Sequence, residues 1–497
     1  MEKVAIGKKL YDYQLEDLNQ IFERFENCPS DHNLLYQLPT GGGKTVIFSE
    51  IARRYIEQTG KKVLILTHRI ELSRQTSNML SEFHVKNKVI NSSVKSLPDK
   101  NDYMCFVAMV ETLNNRLNDE MITLEEVGLV IIDEAHYNSF RKLFSFFEKC
   151  FILGVTATPL SSNINLPMKD SYEELIVGAP IQSLIDTGFL AKAITYSFDV
   201  MLGSLKIGIN GDYSVKSSEM LYSNAFMQSK LLQAYEQKAK GKKTLIFNAG
   251  INTSRQVYET FVDAGYDVRH LDNSNTKQQR ADILEWFKNK PDAILTSVGI
   301  LTTGFDEPTI ETIILNRATR SLSLYFQMIG RGSRIIPGKS TFDVIDLGNN
   351  FARFGLWSSP VDWQKIFRSP NYFLENIISD DAIERRFRYK MPDEIRERFS
   401  KSEEVEFDIE KEGDKVASEG LKSSVVLDRS IDQHKKIVIE NSDNFAEALA
   451  LLRLLDADIE DRVRRYCYQI CKSTKNFRAW AEEDYKQKLR KSVTNFF

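Results

Sequence analysis

Cysteine is scarce in this chain: five of its 497 residues are cysteine, and only Cys467 and Cys471 lie close together. No second pair of cysteine or histidine residues stands near them, so we expect free thiols and not a zinc site. The sequence also lacks an apolar run of about 18 residues, the length that a membrane-spanning helix needs. Its first residues show no signal-peptide pattern. We therefore expect a cytoplasmic or nucleoid-associated protein without a membrane partner.

A large excess of charge is missing as well. The formal net charge is -3, so a nucleic-acid groove would have to concentrate basic residues locally. The composition, 42% hydrophobic and 27% charged, is typical of a soluble globular protein. At 497 residues the chain exceeds what one hydrophobic core usually supports, and we expect two or three domains.

A glycine-rich stretch provides the first chemical signal. An apolar run, Leu34 to Tyr36, leads into three consecutive glycines, and an amphipathic segment over residues 46–56 follows. This order predicts a strand, a phosphate-binding loop and a helix, with ATP and Mg²⁺ as cofactors. Lys44 can reach the β- and γ-phosphates, and Thr45 can hold Mg²⁺. The predicted nucleotide-binding residues here are Pro39, Thr40, Gly41, Gly42, Gly43, Lys44 and Thr45.

Gln14 lies upstream of this loop, at the start of a periodic apolar segment. Its amide can pair with the N6/N7 edge of adenine, which would favour ATP over GTP. The alternative is a polar residue that only begins a helix.

Two acidic residues follow another apolar run. Leu129 to Ile132 predict a buried strand that delivers Asp133 and Glu134 at its tip. Asp133 can hold the Mg²⁺ bound by Thr45, and Glu134 can orient and deprotonate the attacking water.

The second half of the chain repeats the alternation of apolar strands and helices, which predicts a second parallel sheet. At its end stand Gln327, Arg331 and Arg334, and we expect the two arginines on one helical face. Their planar guanidinium groups can fork onto the γ-phosphate as negative charge develops there. Residues 161 to about 187 are expected to connect the two halves.

These motifs resemble those of superfamily 2 helicases of the DEAH-box type, in the order in which that family has them. The resemblance covers residues 10–355 and implies two tandem RecA-like parallel-sheet domains, an α/β fold, with ATP in the cleft between them. The matching segments are Gly-Gly-Gly-Lys-Thr (41–45), Asp-Glu-Ala-His (133–136), Thr-Ala-Thr-Pro (156–159) and Gly-Arg-Gly-Ser-Arg (330–334). A narrower resemblance, to the RadD and XPB-like branch, rests on residues 38–45, 188–190, 211–214, 319–321 and 346–355.

The resemblance also implies domain boundaries and residue roles. The expected domains are residues 1–188, residues 189–368 and a mainly helical C-terminal domain over residues 369–497. Gly304 and Asp306 are expected at the nucleotide, and His136, Thr156 and Thr158 are expected to couple the ATP site to a nucleic-acid strand. The expected strand contacts, for each of which an ordinary loop cap is the alternative, are His68, Arg69, Thr112, Asn248, Thr302 and Thr303.

The function implied is an ATP-driven helicase or translocase that moves along or unwinds nucleic acid, with DNA favoured over RNA as partner. RadD-like proteins are implicated in DNA repair and recombination, and the resemblance implies such a role for this chain. Two alternatives are an RNA helicase and an ATP-switched motor subunit of a defence or restriction-type complex. The C-terminal domain is a candidate for binding a protein partner or nucleic acid.

The predicted roles of Lys44 and Glu134 can be separated by substitution. Lys44→Ala and Glu134→Gln should each abolish nucleic-acid-stimulated ATP hydrolysis, while Glu134→Gln should still bind ATP because the phosphate loop is intact. Steady-state ATPase assays and nucleotide-binding titrations measure the two properties. Normal turnover in either variant would contradict the assignment.

Overall fold

The computed structural model describes residues 10–163, 165–302, 304–380, 382–383, 389–470 and 475–497. Its first part contains seven strands, which are β1 (Leu34–Gln37), β2 (Lys62–Thr67), β3 (Asn87–Ile90), β4 (Cys105–Met109), β5 (Val127–Asp133), β6 (Phe151–Thr156) and β7 (Glu174–Val177). They form one parallel sheet in the spatial order β3-β4-β2-β5-β6-β1-β7. The helices of this part are α1 (Asp12–Asn27), α2 (Lys44–Thr59), α3 (Ile70–Glu82), α4 (Val110–Asn118) and α5 (Ile181–Asp186).

The continuous apolar strands of this sheet are explained by burial on both faces. In β2, Leu64 and Leu66 belong to one hydrophobic cluster, while Val63 and Ile65 belong to another on the opposite face. Side chains of a strand alternate between the two faces, so helices must cover both. Because the strands of this sheet are parallel, their carboxyl ends meet at one edge, where the polar motifs lie.

The second part contains a six-stranded parallel sheet. Its strands are β8 (Lys192–Ser197), β9 (Thr244–Asn248), β10 (Val268–Leu271), β11 (Ile294–Ser297), β12 (Thr312–Asn316) and β13 (Thr341–Asp346), in the order β10-β11-β9-β12-β13-β8. Its helices are α6 (Val215–Tyr222), α7 (Ala225–Lys238), α8 (Ile251–Asp263), α9 (Lys277–Asn289), α10 (Leu322–Ile329), α11 (Asn350–Phe354), α12 (Trp363–Arg368) and α13 (Pro370–Glu375).

One apolar cluster joins the two sheets. It extends from residues of the first sheet, such as Leu66 and Ile132, to residues of the second, such as Leu315. Burial of apolar surface between the domains stabilises their contact without any ligand.

The third part is helical and has a hydrophobic cluster of its own, which includes Ile409, Val438 and Tyr485. Its helices are α14 (Asp393–Arg396), α15 (Ile409–Ser418), α16 (Ser424–Glu440), α17 (Phe445–Leu454), α18 (Asp456–Gln469) and α19 (Lys475–Thr494). The predicted fold class, two tandem parallel-sheet α/β domains followed by a mainly helical region, is confirmed. Within the described residues, every helix is too short or too polar to cross a membrane.

The expected connection over residues 161 to about 187 needs a correction. It contains β7, which pairs with β1 and is the edge strand of the first sheet. The strand is only four residues long and was therefore hard to separate from a linker.

Candidate active site

The phosphate loop joins the buried strand β1 to helix α2. Gly41 and Gly43 adopt φ angles of 95° and 86°, in the left-handed region that glycine enters without steric cost. A Cβ on Gly43 would also lie 2.5 Å from Nε2 of Gln14. Lys44 and Thr45 open α2, so the unpaired N–H groups of its first turn point at the loop. The loop can therefore bind phosphate oxygens.

The loop touches the second domain as well. A Cβ on Gly41 would lie 2.8 Å from Oγ of Ser333 and 3.0 Å from Nη1 of Arg334. A Cβ on Gly330 would lie 2.7 Å from Cβ of Thr40, and the N–H of Gly42 donates to the carbonyl of Pro39 (3.0 Å). The predicted nucleotide-binding residues thus form one wall of a closed interdomain cleft.

Gln14 begins helix α1, as the alternative interpretation of it expected, and it also contacts the phosphate loop. Its Oε1 accepts a hydrogen bond from the backbone N–H of Tyr11 (3.0 Å), which caps α1, and its Nε2 donates to the carbonyl of Gly42 (3.3 Å). The adenine contact itself stays a prediction. Tyr13, which sequence reasoning missed, donates its hydroxyl to the same carbonyl (2.8 Å). The ring of Tyr11 lies 4.2 Å from that of Phe189, and Nε2 of Gln14 lies 3.3 Å from the hydroxyl of Tyr13.

The acidic tip of β5 is buried and strained. Asp133 and Glu134 are 4% and 7% exposed, and Oδ1 of Asp133 accepts the N–H of Glu134 (3.0 Å). Glu134 has φ 52°, a left-handed conformation that costs a non-glycine residue about 1–3 kcal/mol and is typical of functional sites. Oε2 of Glu134 has no hydrogen-bond partner among the described residues. It lies 3.4 Å from Nδ1 of His136, and a carboxylate at this position can also orient a water molecule.

The charges of this tip depend on one another. Burial, and then the neighbouring Glu134, raise the pKa of Asp133 to about 7. Burial opposes ionisation of Glu134, but nearby groups, first among them the positive charge of Lys44, outweigh it and its pKa is lowered. Burial also lowers the pKa of Lys44, against the attraction of both carboxylates. Lys44 Nζ donates to the carbonyl of Leu38 (3.3 Å).

The two predicted ligands have the chemistry that Mg²⁺ requires. Asp133 offers a carboxylate and Thr45 a hydroxyl, the oxygen ligands that Mg²⁺ prefers. A cation would also relieve the repulsion between the two buried carboxylates, which raises the pKa of Asp133.

The three predicted coupling residues lie together and reach the second domain. His136 Nδ1 lies 3.0 Å from Oγ1 of Thr156, and its Nε2 lies 3.3 Å from Nε2 of Gln327. The amide of Gln327 can only donate there, so we assign the proton of the neutral imidazole to Nδ1. Burial lowers the pKa of His136, which agrees with the neutral form. Thr158 donates its hydroxyl to Ser323 of α10 (2.7 Å).

The expected helical face for the two arginines was wrong. Helix α10 ends at Ile329, and Arg331 and Arg334 lie in the turn that follows. Gly330 and Gly332 flank Arg331, and a side chain on Gly332 would collide with the ring of Phe342. Glycine is a weak helix former, and here it also allows close packing that a helical side chain would prevent.

Arg331 is held by the loop that carries Gly304. Its Nε and Nη2 donate to the carbonyl of Thr302 (3.1 and 2.6 Å), and its Nη1 donates to the carbonyl of Phe305 (2.5 Å). Burial, and then the charge of Arg334, lower the pKa of Arg331 to about 10. Gly304 has φ 73° and packs against Leu72 of the first domain.

Arg334 donates from Nε to Oδ1 of Asp306 (2.7 Å) and lies beside Gly41. Of the predicted residues of the second wall, Arg331 and Arg334 lie near Lys44, and Gln327 contacts His136. Asp306 is bound to Arg334, whereas Gly304 packs against Leu72 and not against the phosphate loop.

The residues predicted to contact the nucleic-acid strand differ in their surroundings. Arg69 Nη1 donates across the cleft to the carbonyl of Ile300 (2.8 Å). Both ring nitrogens of His68 are buried without a hydrogen-bond partner in the described part of the chain, and the ring lies 4.3 Å from Tyr137. Burial lowers the pKa of His68 to about 4. Thr112 is partly exposed on α4.

The remaining residues predicted to contact the nucleic-acid strand lie in the second domain. Asn248 is buried, donates to Thr296 Oγ1 (2.8 Å) and accepts from Asn316 (2.7 Å). Thr302 is also buried and donates its hydroxyl to the carbonyl of Gly299 (2.7 Å). Thr303 lies outside the described residues. In this closed arrangement, Asn248 and Thr302 use their side chains for bonds inside the protein.

Ser323 and Tyr137 were missed by sequence reasoning. Tyr137 directly follows the acidic motif and lies between His68 and His136, with ring centroids 4.3 Å from each. Its position next to the motif was an available signal. No sequence signal pointed to Ser323, because its role depends on Thr158, a partner that is distant in sequence.

Comparisons with known proteins bear on both motor domains. The family model for the Type III restriction enzyme, res subunit, matches residues 7–161, and that for the Helicase conserved C-terminal domain matches residues 227–336. A 51.5 kDa protein of a Lactococcus phage (isolate 7-9) is 29% identical over 338 residues, which are 67% of this chain and 69% of the phage protein.

The putative ATP-dependent helicase IRC3 of Saccharomyces cerevisiae is 30% identical over 373 residues, which are 70% of this chain and 53% of the yeast protein. This chain thus spans about half of the yeast relative. A fragment of a putative HsdR subunit of a type I restriction enzyme from Vibrio vulnificus YJ016 shares the fold, with a TM-score of 0.53, 22% identity and coverage of 70% of this chain and 66% of the fragment. The two family models thus match parts of the two parallel-sheet domains, and the helicase-named relative aligns with 70% of the chain.

The role of Arg331 can be tested by its removal. Arg331→Ala should lower kcat for ATP hydrolysis by about 100-fold or more and change ATP affinity far less, because the guanidinium would act on charge that develops only in the transition state. Steady-state kinetics and nucleotide titration give the two values. Arg255→Ala, which removes an exposed arginine of α8, is the matched control and should be active. A pure loss of affinity in Arg331→Ala would count against the assignment.

Proposed function

We propose that this chain is a superfamily 2 motor that couples ATP hydrolysis to movement along DNA or to its unwinding. The observation that carries the proposal is the contact of the two domains at one site. Lys44 and Glu134 come from the first domain, Gln327, Arg331 and Arg334 come from the second, and His136 contacts Gln327 directly.

Each group at this site has a chemical task in ATP hydrolysis. Lys44 and the first N–H groups of α2 bind the phosphates, and Glu134 orients the attacking water through its carboxylate. Thr45 and Asp133 would hold Mg²⁺, which would neutralise phosphate charge when bound. Gln14 is the candidate for adenine recognition.

The arginines act from the second domain. Arg334 already lies beside Gly41, whereas Arg331 must exchange a carbonyl partner at residue 302 or 305 for a phosphate oxygen. Such an exchange makes hydrolysis depend on how the second domain sits over the phosphate loop. His136, Thr156 and Thr158 would transmit the loss of the γ-phosphate to α10, because their partners Gln327 and Ser323 are on that helix.

The nucleic-acid strand would lie at the carboxyl ends of the β-strands in both sheets. The resemblance places the predicted contact residues there, namely His68, Arg69, Thr112, Asn248, Thr302 and Thr303. Arg69 now binds the carbonyl of Ile300, so separation of the domains would free its guanidinium for a phosphate. Contacts to the backbone allow a motor to move along any sequence. The preference for DNA, the DEAH-box and RadD or XPB-like assignment, and a role in repair rest on the sequence resemblance.

A second candidate function is a motor subunit of a restriction-type complex. The match of residues 7–161 to the restriction res-subunit model favours it. The helical domain, which we place at residues 369–497 after motor domains at 1–188 and 189–368, would then bind a partner protein.

ATPase rates with single-stranded DNA, duplex DNA, forked DNA and RNA, measured side by side, distinguish these functions. We expect DNA to stimulate hydrolysis in the native chain and no hydrolysis in Lys44→Ala, the control for contaminating activity. Stimulation by RNA alone would replace DNA with RNA in the proposal. Stimulation by none of the four would contradict a nucleic-acid motor and favour the restriction-type subunit.

A further inference from the structure

The chain leaves the second domain after α11 and later returns to it. Arg353, a buried residue of α11, joins the beginning of this segment to its end. Its Nη1 donates to the carbonyl of Ile378 (2.7 Å), and its Nη2 binds Asp380. The same Nη2 donates to the hydroxyl of Tyr213 (2.6 Å), and Tyr213 in turn binds Asp380. Residues 354–379, here called the clasp segment, are thus fixed at both ends to the second domain.

The middle of the clasp segment contacts the first domain. Gln364 of α12 donates from Nε2 to the carbonyl of Leu175 (2.8 Å) on the edge strand β7. Lys169, also in the first domain, donates from Nζ to the carbonyl of Arg368 (3.0 Å) at the end of α12. A cation at this position satisfies a helix-end carbonyl and interacts favourably with the helix dipole.

The buried face of α12 contacts the helix that carries Gln327. Trp363, Ile366 and Phe367 are spaced as one helical face and belong to the apolar cluster that contains residues of both sheets. The ring of Trp363 packs edge-on against Phe326 of α10, with centroids 5.6 Å apart. Phe326 directly precedes Gln327, which contacts His136.

From these contacts we propose that the clasp segment is a second tether between the motor domains, in addition to the covalent connection through residues 178–191. Gln364 ties α12 to the first domain, and Trp363 ties it to α10. Both are positioning residues: they hold Gln327 and the arginine turn over the phosphate loop and favour the closed cleft before nucleotide binds.

The tether is suited to release during a cycle. It holds the first domain through two side-chain hydrogen bonds and a small apolar face, which can separate without unfolding either sheet. The cleft must open to exchange ADP for ATP if the proposed function holds, and the kinetic part of the inference rests on that function. The structural part concerns only the separation of the domains.

The test compares Gln364→Ala and Trp363→Ala with Gln182→Ala in the full chain. Gln182 is the matched control, because it is an exposed glutamine of α5 whose amide binds Asp186 on its own helix. Small-angle X-ray scattering of the nucleotide-free protein reports domain separation, and steady-state kinetics with saturating DNA report KM for ATP and kcat.

We expect a larger radius of gyration for both clasp variants. KM for ATP should rise by about fivefold in Gln364→Ala, the size of one net hydrogen bond, while kcat should stay within about twofold because the closed site is unchanged. Gln182→Ala should match the native chain in every value. If Trp363→Ala does not fold, Gln364→Ala alone decides.

An unchanged radius of gyration in Gln364→Ala would overturn the proposal, as would a fall in kcat with KM unchanged. If the native chain hydrolyses no ATP, the proposed function fails and the scattering comparison still decides on the tether.

Discussion

The contact between His136 and Gln327 is the interaction on which the rest of the site depends. A neutral imidazole faces Thr156 with one nitrogen and the second domain with the other. This geometry exists only when the carboxyl edges of the two sheets face each other. Burial keeps the ring neutral by lowering its pKa, so that Nε2 can accept a hydrogen bond. The same contact places the acidic tip of β5 within reach of charges from both domains.

Closure of the cleft has a cause that is independent of nucleotide. An apolar cluster runs through both sheets, and the phosphate loop packs against the turn after α10 so closely that a Cβ on Gly41 would meet Ser333. The arginines are meanwhile bound to carbonyls and to Asp306. The cleft is thus closed while its arginine side chains are bonded to protein oxygens. The phosphates of a bound nucleotide would compete with these oxygens for the guanidinium groups.

The sequence allowed prediction of the features that depend on local pattern. The phosphate loop, the strand before Asp133 and the alternation that gives two parallel sheets are each encoded in a short stretch. Features that depend on distant partners were not predictable. Asn248 ends a strand, as expected, but a neighbouring strand supplies Asn316 and buries it. The turn at Arg331 depends on packing of Gly332 against Phe342. The position of α12 depends on its hydrogen bond to the edge strand β7.

The central claim is that the two domains form one catalytic unit through His136 and Gln327, and a double-mutant cycle tests it most directly. The measurement is kcat/KM for ATP hydrolysis in the native chain, in His136→Ala, in Gln327→Ala and in the double variant. If the residues act through their contact, the two losses will not add, and the coupling energy will be about 1 kcal/mol or more. Additive losses, with a coupling energy near zero, would contradict the account.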